Sequence, residues 1–193
     1  PVSVGHRGHQ VTNRFGYDEF LRLAEKLGWK VILVVNLRDA LLNIRPVREA
    51  ALHAAGLIAY ATAPPGTKLP EGMPDWPSLR ARNGHPEPYR VEYVQLGNET
   101  WAFRAKMLEI HGERMAQFYA DCVAAYEEAI HAVAPGVRII TDYDDAIAPL
   151  IASRLGKKLD SFCGHYYTPW MIQRVLKDGE EVPIGSLTAE EIW

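Results

Sequence analysis

The stretch Tyr93-Val94-Gln95-Leu96-Gly97-Asn98-Glu99-Thr100-Trp101 sets an apolar run directly against an amide and a carboxylate. A carboxylate there is either a general acid/base facing a cleft or part of a turn or helix cap, and Asn-Glu pairs most often serve turn chemistry. Gly97 lets the backbone bend, Asn98 carries both a donor and an acceptor, and Trp101 presents a flat aromatic face. Two other apolar runs end in polar groups as well. Asn36 follows Val31–Val35, and His165, Tyr166 and Tyr167 follow Leu159–Cys163.

Other residue types capable of chemistry have simpler readings. His6 and His9 lie among glycines with no further Cys or His nearby, which reads as a loop rather than a metal site. His85, between Gly84 and Pro86, is expected to order its loop, with ligand contact as the alternative. Asp142, Asp144 and Asp145 could hold a divalent ion, but Asp144 or Asp145 capping the next helix explains the cluster more simply. Cys122 and Cys163 lie in apolar segments and read as free buried thiols. Trp76 and Trp170 serve packing or ligand stacking, and the sequence does not separate the two. No Ser-His-Asp set with a nucleophile elbow is present.

These groups need a scaffold. The chain has 193 residues, 48% hydrophobic and 23% charged, with net charge −3, which is the ordinary globular range. No basic stripe or polybasic arm is present, so neither nucleic acid nor a membrane surface is the expected partner. Apolar spacing predicts a helix over Tyr17–Leu27 stopped by Gly28, then a strand over Lys30–Asn36 buried on both faces. A second helix is expected from Pro46 to about Tyr60. Pro64 to Pro88 holds seven prolines and reads as a long surface excursion without helix or strand. Further strands are expected at Val91–Leu96, Val137–Thr141 and Leu159–Cys163, with helices at Met115–Val133 and Asp145–Leu155 between them.

Alternating helices and parallel-type strands leave an open doubly wound sheet or a (β/α)₈ TIM barrel. No Gly-rich phosphate loop follows any strand, which favours the barrel. A closed barrel takes about 250 residues, so four strands read as an incomplete arc, and the chain as a piece of something longer. Barrel strands present their C-terminal ends to the active site. Glu99 is then placed to react, with Asn98 offered to substrate hydroxyls and Trp101 to a sugar ring.

The run Arg82-Asn-Gly-His-Pro-Glu-Pro-Tyr-Arg-Val-Glu-Tyr-Val-Gln-Leu-Gly-Asn-Glu-Thr-Trp101 resembles the signature of α-L-arabinofuranosidases of glycoside hydrolase family 51, in the large clan of retaining (β/α)₈ hydrolases. Asn13–Phe20 and Val34–Asn36 resemble the third barrel unit of that family, and Ser161–Tyr167 its sixth strand. The resemblance implies one partial catalytic domain over residues 1–193, roughly barrel units 3 to 6, with a Pro-rich insertion over 64–90. It also implies Glu99 as general acid/base, and Asn36, Asn98, Trp101, His165 and Tyr167 as substrate-binding residues. Tyr167 is expected to donate to the second carboxylate. The chemistry implied needs no cofactor and no metal, the substrate is an arabinose-containing oligo- or polysaccharide, and an oligomer of the whole protein is allowed.

A retaining site needs a second carboxylate about 5–5.5 Å from the first. Glu190 and Glu191 lie late in the chain, but Thr188 followed three residues later by Glu191 reads as a capping box. Glu180 and Glu181 flank the Asp178-Gly179 turn and read as solvated loop charges. The nucleophile is therefore expected beyond Trp193. The Asn-Glu pair is shared across the clan, so another clan glycosidase or endoglucanase stays open, as does a catalytically silent carbohydrate-binding remnant. Linkage specificity and compartment stay open too.

Overall fold

The computed structural model describes residues 2–4, 8–12, 14–142, 146–165 and 174–192. Strands β1 (Val2–Val4) and β2 (Gln10–Thr12) form a small antiparallel pair. Helix α1 (Tyr17–Leu27) has the predicted bounds. Glu19 Oε2 accepts from the Gly16 N–H at 2.8 Å at its start, and Gly28 closes it at φ 67°, a backbone region that glycine occupies without strain. After β3 (Ile32–Val35) come a short α2 (Arg38–Leu41) and α3 (Val47–Thr62), with Pro46 at the N-cap of α3.

The Pro-rich excursion contains a helix, α4 (Trp76–Arg82), contrary to the expectation of loop throughout. Its second residue is Pro77, where a missing N–H costs nothing, and the Asp75 carboxylate accepts from Ser78 N at 3.1 Å. Gly56 of α3 admits Trp76: a Cβ there would lie 2.8 Å from the indole nitrogen. Arg80, fully buried, donates Nε to His85 O (3.0 Å), Nη1 to Tyr60 O (2.6 Å) and Ala63 O (2.9 Å), and Nη2 to Pro86 O (2.9 Å). It thereby satisfies carbonyls at the end of α3, which an α-helix otherwise leaves unbonded, and ties the excursion to them. Asp18 adds a second clamp, accepting from Tyr60 (3.0 Å), Tyr89 (2.7 Å) and Arg22 Nε (2.8 Å).

The chain continues as β4 (Tyr93–Leu96), a 3₁₀ turn (Thr100–Phe103), α5 (Arg104–His111), α6 (Met115–His131), β5 (Arg138–Thr141), α7 (Ala148–Leu155) and β6 (Ser161–Phe162). It closes with the hairpin β7 (Arg174–Lys177) and β8 (Glu180–Pro183), then α8 (Ala189–Ile192). Glu180 and Glu181 are exposed as expected, though on a strand, because Asp178 (φ 54°) and Gly179 (φ 87°) make a hairpin turn. The cap reading of Glu191 agrees with its carboxylate accepting from Thr188 N at 2.9 Å. The side-chain hydrogen bond from Lys177 and the backbone hydrogen bond from Thr188 pull Glu191 down to about 2. Among the described residues no helix is long and apolar enough to cross a membrane.

Strands β3, β4, β5 and β6 form one parallel sheet in that order. Leu33, Val35, Val94, Leu96 and Ile139 share one buried core with α3, α6 and α7. The expectation that β3 is buried on both faces fails. Its alternate residues Ile32 and Val34 are 51% and 41% exposed, because among the described residues no element covers that face as α3 and α6 cover the other. Only Ser161 and Phe162 of the expected 159–163 strand pair with β5.

Candidate active site

The register levels the ends of the four strands. Val35 pairs with Leu96, Leu96 with Thr141, and Thr141 with Phe162. The next residues, Asn36, Gly97, Asp142 and Cys163, therefore leave the sheet together at its C-terminal edge, the edge where ligands bind in parallel α/β folds.

At β4 the chain turns sharply. Gly97 lies at φ 78° with its N–H donating to Val35 O (2.9 Å), and a Cβ there would stand 2.4 Å from Thr100 Cγ2 and 3.3 Å from Leu37 Cβ. Two residues on, Glu99 is itself left-handed at φ 51° and ψ 41°, a conformation that costs a side-chain-bearing residue about 1–2 kcal/mol. Strain of this kind persists where surrounding structure enforces it. Here the enforcing group is Thr100, whose N–H donates to Asp142 Oδ2 at 2.9 Å and whose hydroxyl lies 3.0 Å from Tyr119 OH and donates to the Asp142 carbonyl. Tyr119 OH donates to the same carbonyl at 2.8 Å.

The Glu99 carboxyl is 35% exposed, and its Oε1 lies 3.5 Å from His165 Nδ1. The other ring nitrogen, Nε2, lies 2.7 Å from Asp142 Oδ1 and 3.5 Å from Cys163 Sγ. Asn36 and exposed Asn98 line one groove of about 250 Å³ with Arg38, Gly97, Thr100 and Phe103. Asn36 Oδ1 accepts from Asp39 N at 3.3 Å, starting α2, and its carbonyl accepts from Tyr126 OH at 2.8 Å. Trp101 is 42% exposed on the 3₁₀ turn, while Phe103 rather than Trp101 faces the groove. Of the sequence candidates, then, Glu99 lies beside His165, and Asn98 and Asn36 share the groove, whose lining includes none of Glu99, His165 and Trp101. Tyr167 lies outside the described residues, as do Trp170, His6, Asp144 and Asp145.

Sequence reasoning placed Asp142 in an acidic capping cluster. It is instead fully buried beneath His165, and the register that levels it with Gly97 was the signal that could have found it. Cys163, expected buried, is partly exposed, and both cysteines are free. Burial and then Asp142 raise the Cys163 thiol. The donor atoms of Asp142, Cys163 and His165 fall within 4.8 Å of one another, the one such group among the described residues. A tetrahedral ion would hold N and O ligands roughly 3.3 Å apart. The 2.7 Å between Nε2 and Oδ1 is shorter than that. His85 does order its loop, stacking on Tyr89 at 3.9 Å with Nδ1 2.7 Å from Glu87 O and Nε2 2.9 Å from Glu25 Oε2. A larger cavity of about 850 Å³ opens between α1, α3 and α4 and touches Asn36, but its lining is mostly apolar and Asp18 within it is already bonded to Tyr60, Tyr89 and Arg22. The chemistry points to the smaller groove.

Comparison with known proteins identifies the family. Residues 2–176 match a family model described as the Alpha-L-arabinofuranosidase 1 domain. An intracellular exo-alpha-L-arabinofuranosidase of Bacteroides ovatus is 25% identical over 164 residues, covering 81% of this chain and 27% of the relative. A probable alpha-L-arabinofuranosidase C of Aspergillus flavus is 37% identical over 90 residues, 47% of this chain and 15% of the relative. The crystal structure of the Thermotoga maritima alpha-L-arabinofuranosidase superposes with a TM-score of 0.62 at 24% identity, over 84% of this chain and 30% of that one. The GH51 arabinofuranosidase of Xanthomonas axonopodis pv. citri gives 0.60 at 25% identity over the same shares. The chain thus spans under a third of the length of these relatives, and within that span it belongs to the alpha-L-arabinofuranosidase 1 domain family.

Proposed function

We propose that this chain forms units 3 to 6 of a (β/α)₈ barrel and carries the acid/base half of a retaining α-L-arabinofuranosidase site. The observation behind the reading is Glu99: a strained, part-exposed carboxylate at the end of a parallel strand, beside a histidine and next to a groove edged by two amides. In this role Glu99 protonates the glycosidic oxygen as the arabinofuranosyl residue leaves, then takes a proton from the water that releases the sugar. Asn98 grips the sugar 2-hydroxyl, Asn36 contributes its amide from the third unit, and Trp101 flanks the leaving group. Glu191 is committed to a helix cap and Lys177, and Asp142 is fully buried, so neither suits the nucleophile. We assign that carboxylate to a segment outside the described residues.

The test is titration of the ¹⁵N-labelled chain with an arabinofuranosyl oligosaccharide. Amide shifts are expected at Asn36, Asn98, Glu99 and Trp101. Shifts confined to the larger cavity around Trp76 would place the ligand elsewhere and refute the assignment.

A further inference from the structure

We infer that Asp142, Cys163 and His165 form a zinc site that ties the end of β5 to the end of β6. The strand register brings the three together. Thr141 pairs with Phe162, and the Cys163 N–H donates to Thr141 O at 2.9 Å. Asp142 and Cys163 are therefore the first residues past two neighbouring parallel strands, and His165 follows Cys163 by two residues. β6 is joined to β5 through two residue pairs, Ile140 with Ser161 and Thr141 with Phe162, the shortest pairing in the sheet. A metal tie just beyond it reinforces the weakest seam.

Asp142 points to an ion. Buried charges are paired or coordinate metals, and Asp142 has no exposure. Its Oδ2 accepts from Thr100 N–H at 2.9 Å, whereas Oδ1 is buried without a hydrogen bond. Oδ1 faces His165 Nε2 at 2.7 Å, and Nε2 lies 3.5 Å from Cys163 Sγ. One nitrogen, one oxygen and one sulfur within 4.8 Å make a donor set for zinc, which takes His, Asp and Cys ligands tetrahedrally. Zinc holds nitrogen and sulfur ligands about 3.5 Å apart, the separation found here. Nitrogen and oxygen belong roughly 3.3 Å apart, so the partly exposed His165 ring draws back by about 0.6 Å from a carboxylate that Thr100 holds. As the sulfur–zinc bond forms, the Cys163 thiol gives its proton to solvent, and His165 binds through its Nε2 lone pair. Cys163 and His165 are both partly exposed, which leaves the fourth position to water. Glu99 faces the other ring nitrogen, Nδ1, at 3.5 Å and stays outside the donor set.

The test is metal binding by the reduced, metal-free full chain. Cobalt is expected to give a thiolate-to-cobalt charge-transfer band that one equivalent of zinc abolishes. Excess zinc should slow alkylation of Cys163 by more than about tenfold, because the reactive thiolate is then bound. Cys163→Ser should remove the cobalt band, and Asp142→Asn should weaken zinc binding by more than about tenfold. If Asp142→Asn fails to fold, the wild-type band and its loss in Cys163→Ser decide. A folded wild type with no thiolate band overturns the inference and leaves Asp142 and a protonated His165 as a plain ion pair. A band that survives Cys163→Ser, or equal zinc affinity in Asp142→Asn, overturns it as well. None of these readouts needs turnover, so a Glu99→Gln variant that still hydrolyses would sink the acid/base assignment without touching the metal site.

Discussion

Gly97→Ala tests the turn that presents Glu99. The new methyl group meets two obstacles: a φ of 78°, which costs an L-residue about 1–2 kcal/mol, and Thr100 Cγ2 at 2.4 Å. Thr100 cannot swing aside cheaply, because it is 1% exposed and bonded to Asp142 and Tyr119. Overpacking of this kind costs about 1–3 kcal/mol, so the whole change should destabilise by about 2–5 kcal/mol. Thr100→Ser removes the offending methyl while keeping the hydroxyl. In that background Gly97→Ala should cost only the backbone share and the milder contact with Leu37, a favourable coupling of about 1–3 kcal/mol. Urea unfolding followed by far-UV circular dichroism reads all four corners of this cycle, with the slope checked for constancy. A cost below about 0.5 kcal/mol, or the same cost in both backgrounds, would refute the steric argument.

Arg80→Met should lower stability by about 3–5 kcal/mol, because four carbonyls lose a buried, charge-assisted donor. Exposed Arg82→Met should stay within about 0.5 kcal/mol, and equal urea midpoints for the two variants would contradict the clamp. Burial works to raise the Asp18 carboxyl, but hydrogen bonds from Tyr89, Arg22 and Tyr60 outweigh it and hold it below its ordinary value. Its contribution to stability is therefore full above about pH 5 and is lost as pH falls below about 4 towards the depressed folded value. The stability gap between wild type and Asp18→Asn should shrink over that range, and a gap independent of pH would exclude the linkage. Burial, and then Asp121, push the Cys122 thiol up to about 12, whereas Cys163 is partly exposed. Alkylation at pH 8 read by mass spectrometry should mark Cys163 first and Cys122 only on unfolding, and the reverse order would contradict the burial pattern.

Much of the scaffold is legible because periodicity and breakers coincide. Tyr17–Leu27 has a one-faced apolar stripe between acidic residues and a glycine, and both its ends are found where the pattern puts them. What escapes reading depends on distant partners. α4 is hidden by prolines whose effect depends on position, since Pro77 sits in the first turn and Arg80 is held by carbonyls far along the chain. α5 lacks a strong apolar stripe, burying only Met107, and the β7–β8 hairpin is announced only by Asp178-Gly179. Val34 and Ile32 look like core by type, but no residue type reports whether the facing surface is covered. At the site, Glu99 and Asn98 are readable from their place at a strand end. Asp142 is not, because its partner on the 3₁₀ turn, Thr100, is 42 residues away.

The most direct measurement of the central claim is azide rescue of Glu99→Ala in the polypeptide that carries these residues. If Glu99 is the acid/base, kcat/KM for an arabinofuranoside with a poor leaving group falls by about 10²–10⁴. Azide should then restore turnover of an activated aryl arabinofuranoside by forming an arabinofuranosyl azide of retained configuration. A loss of less than about tenfold on the poor leaving group, with no azide adduct, would contradict it.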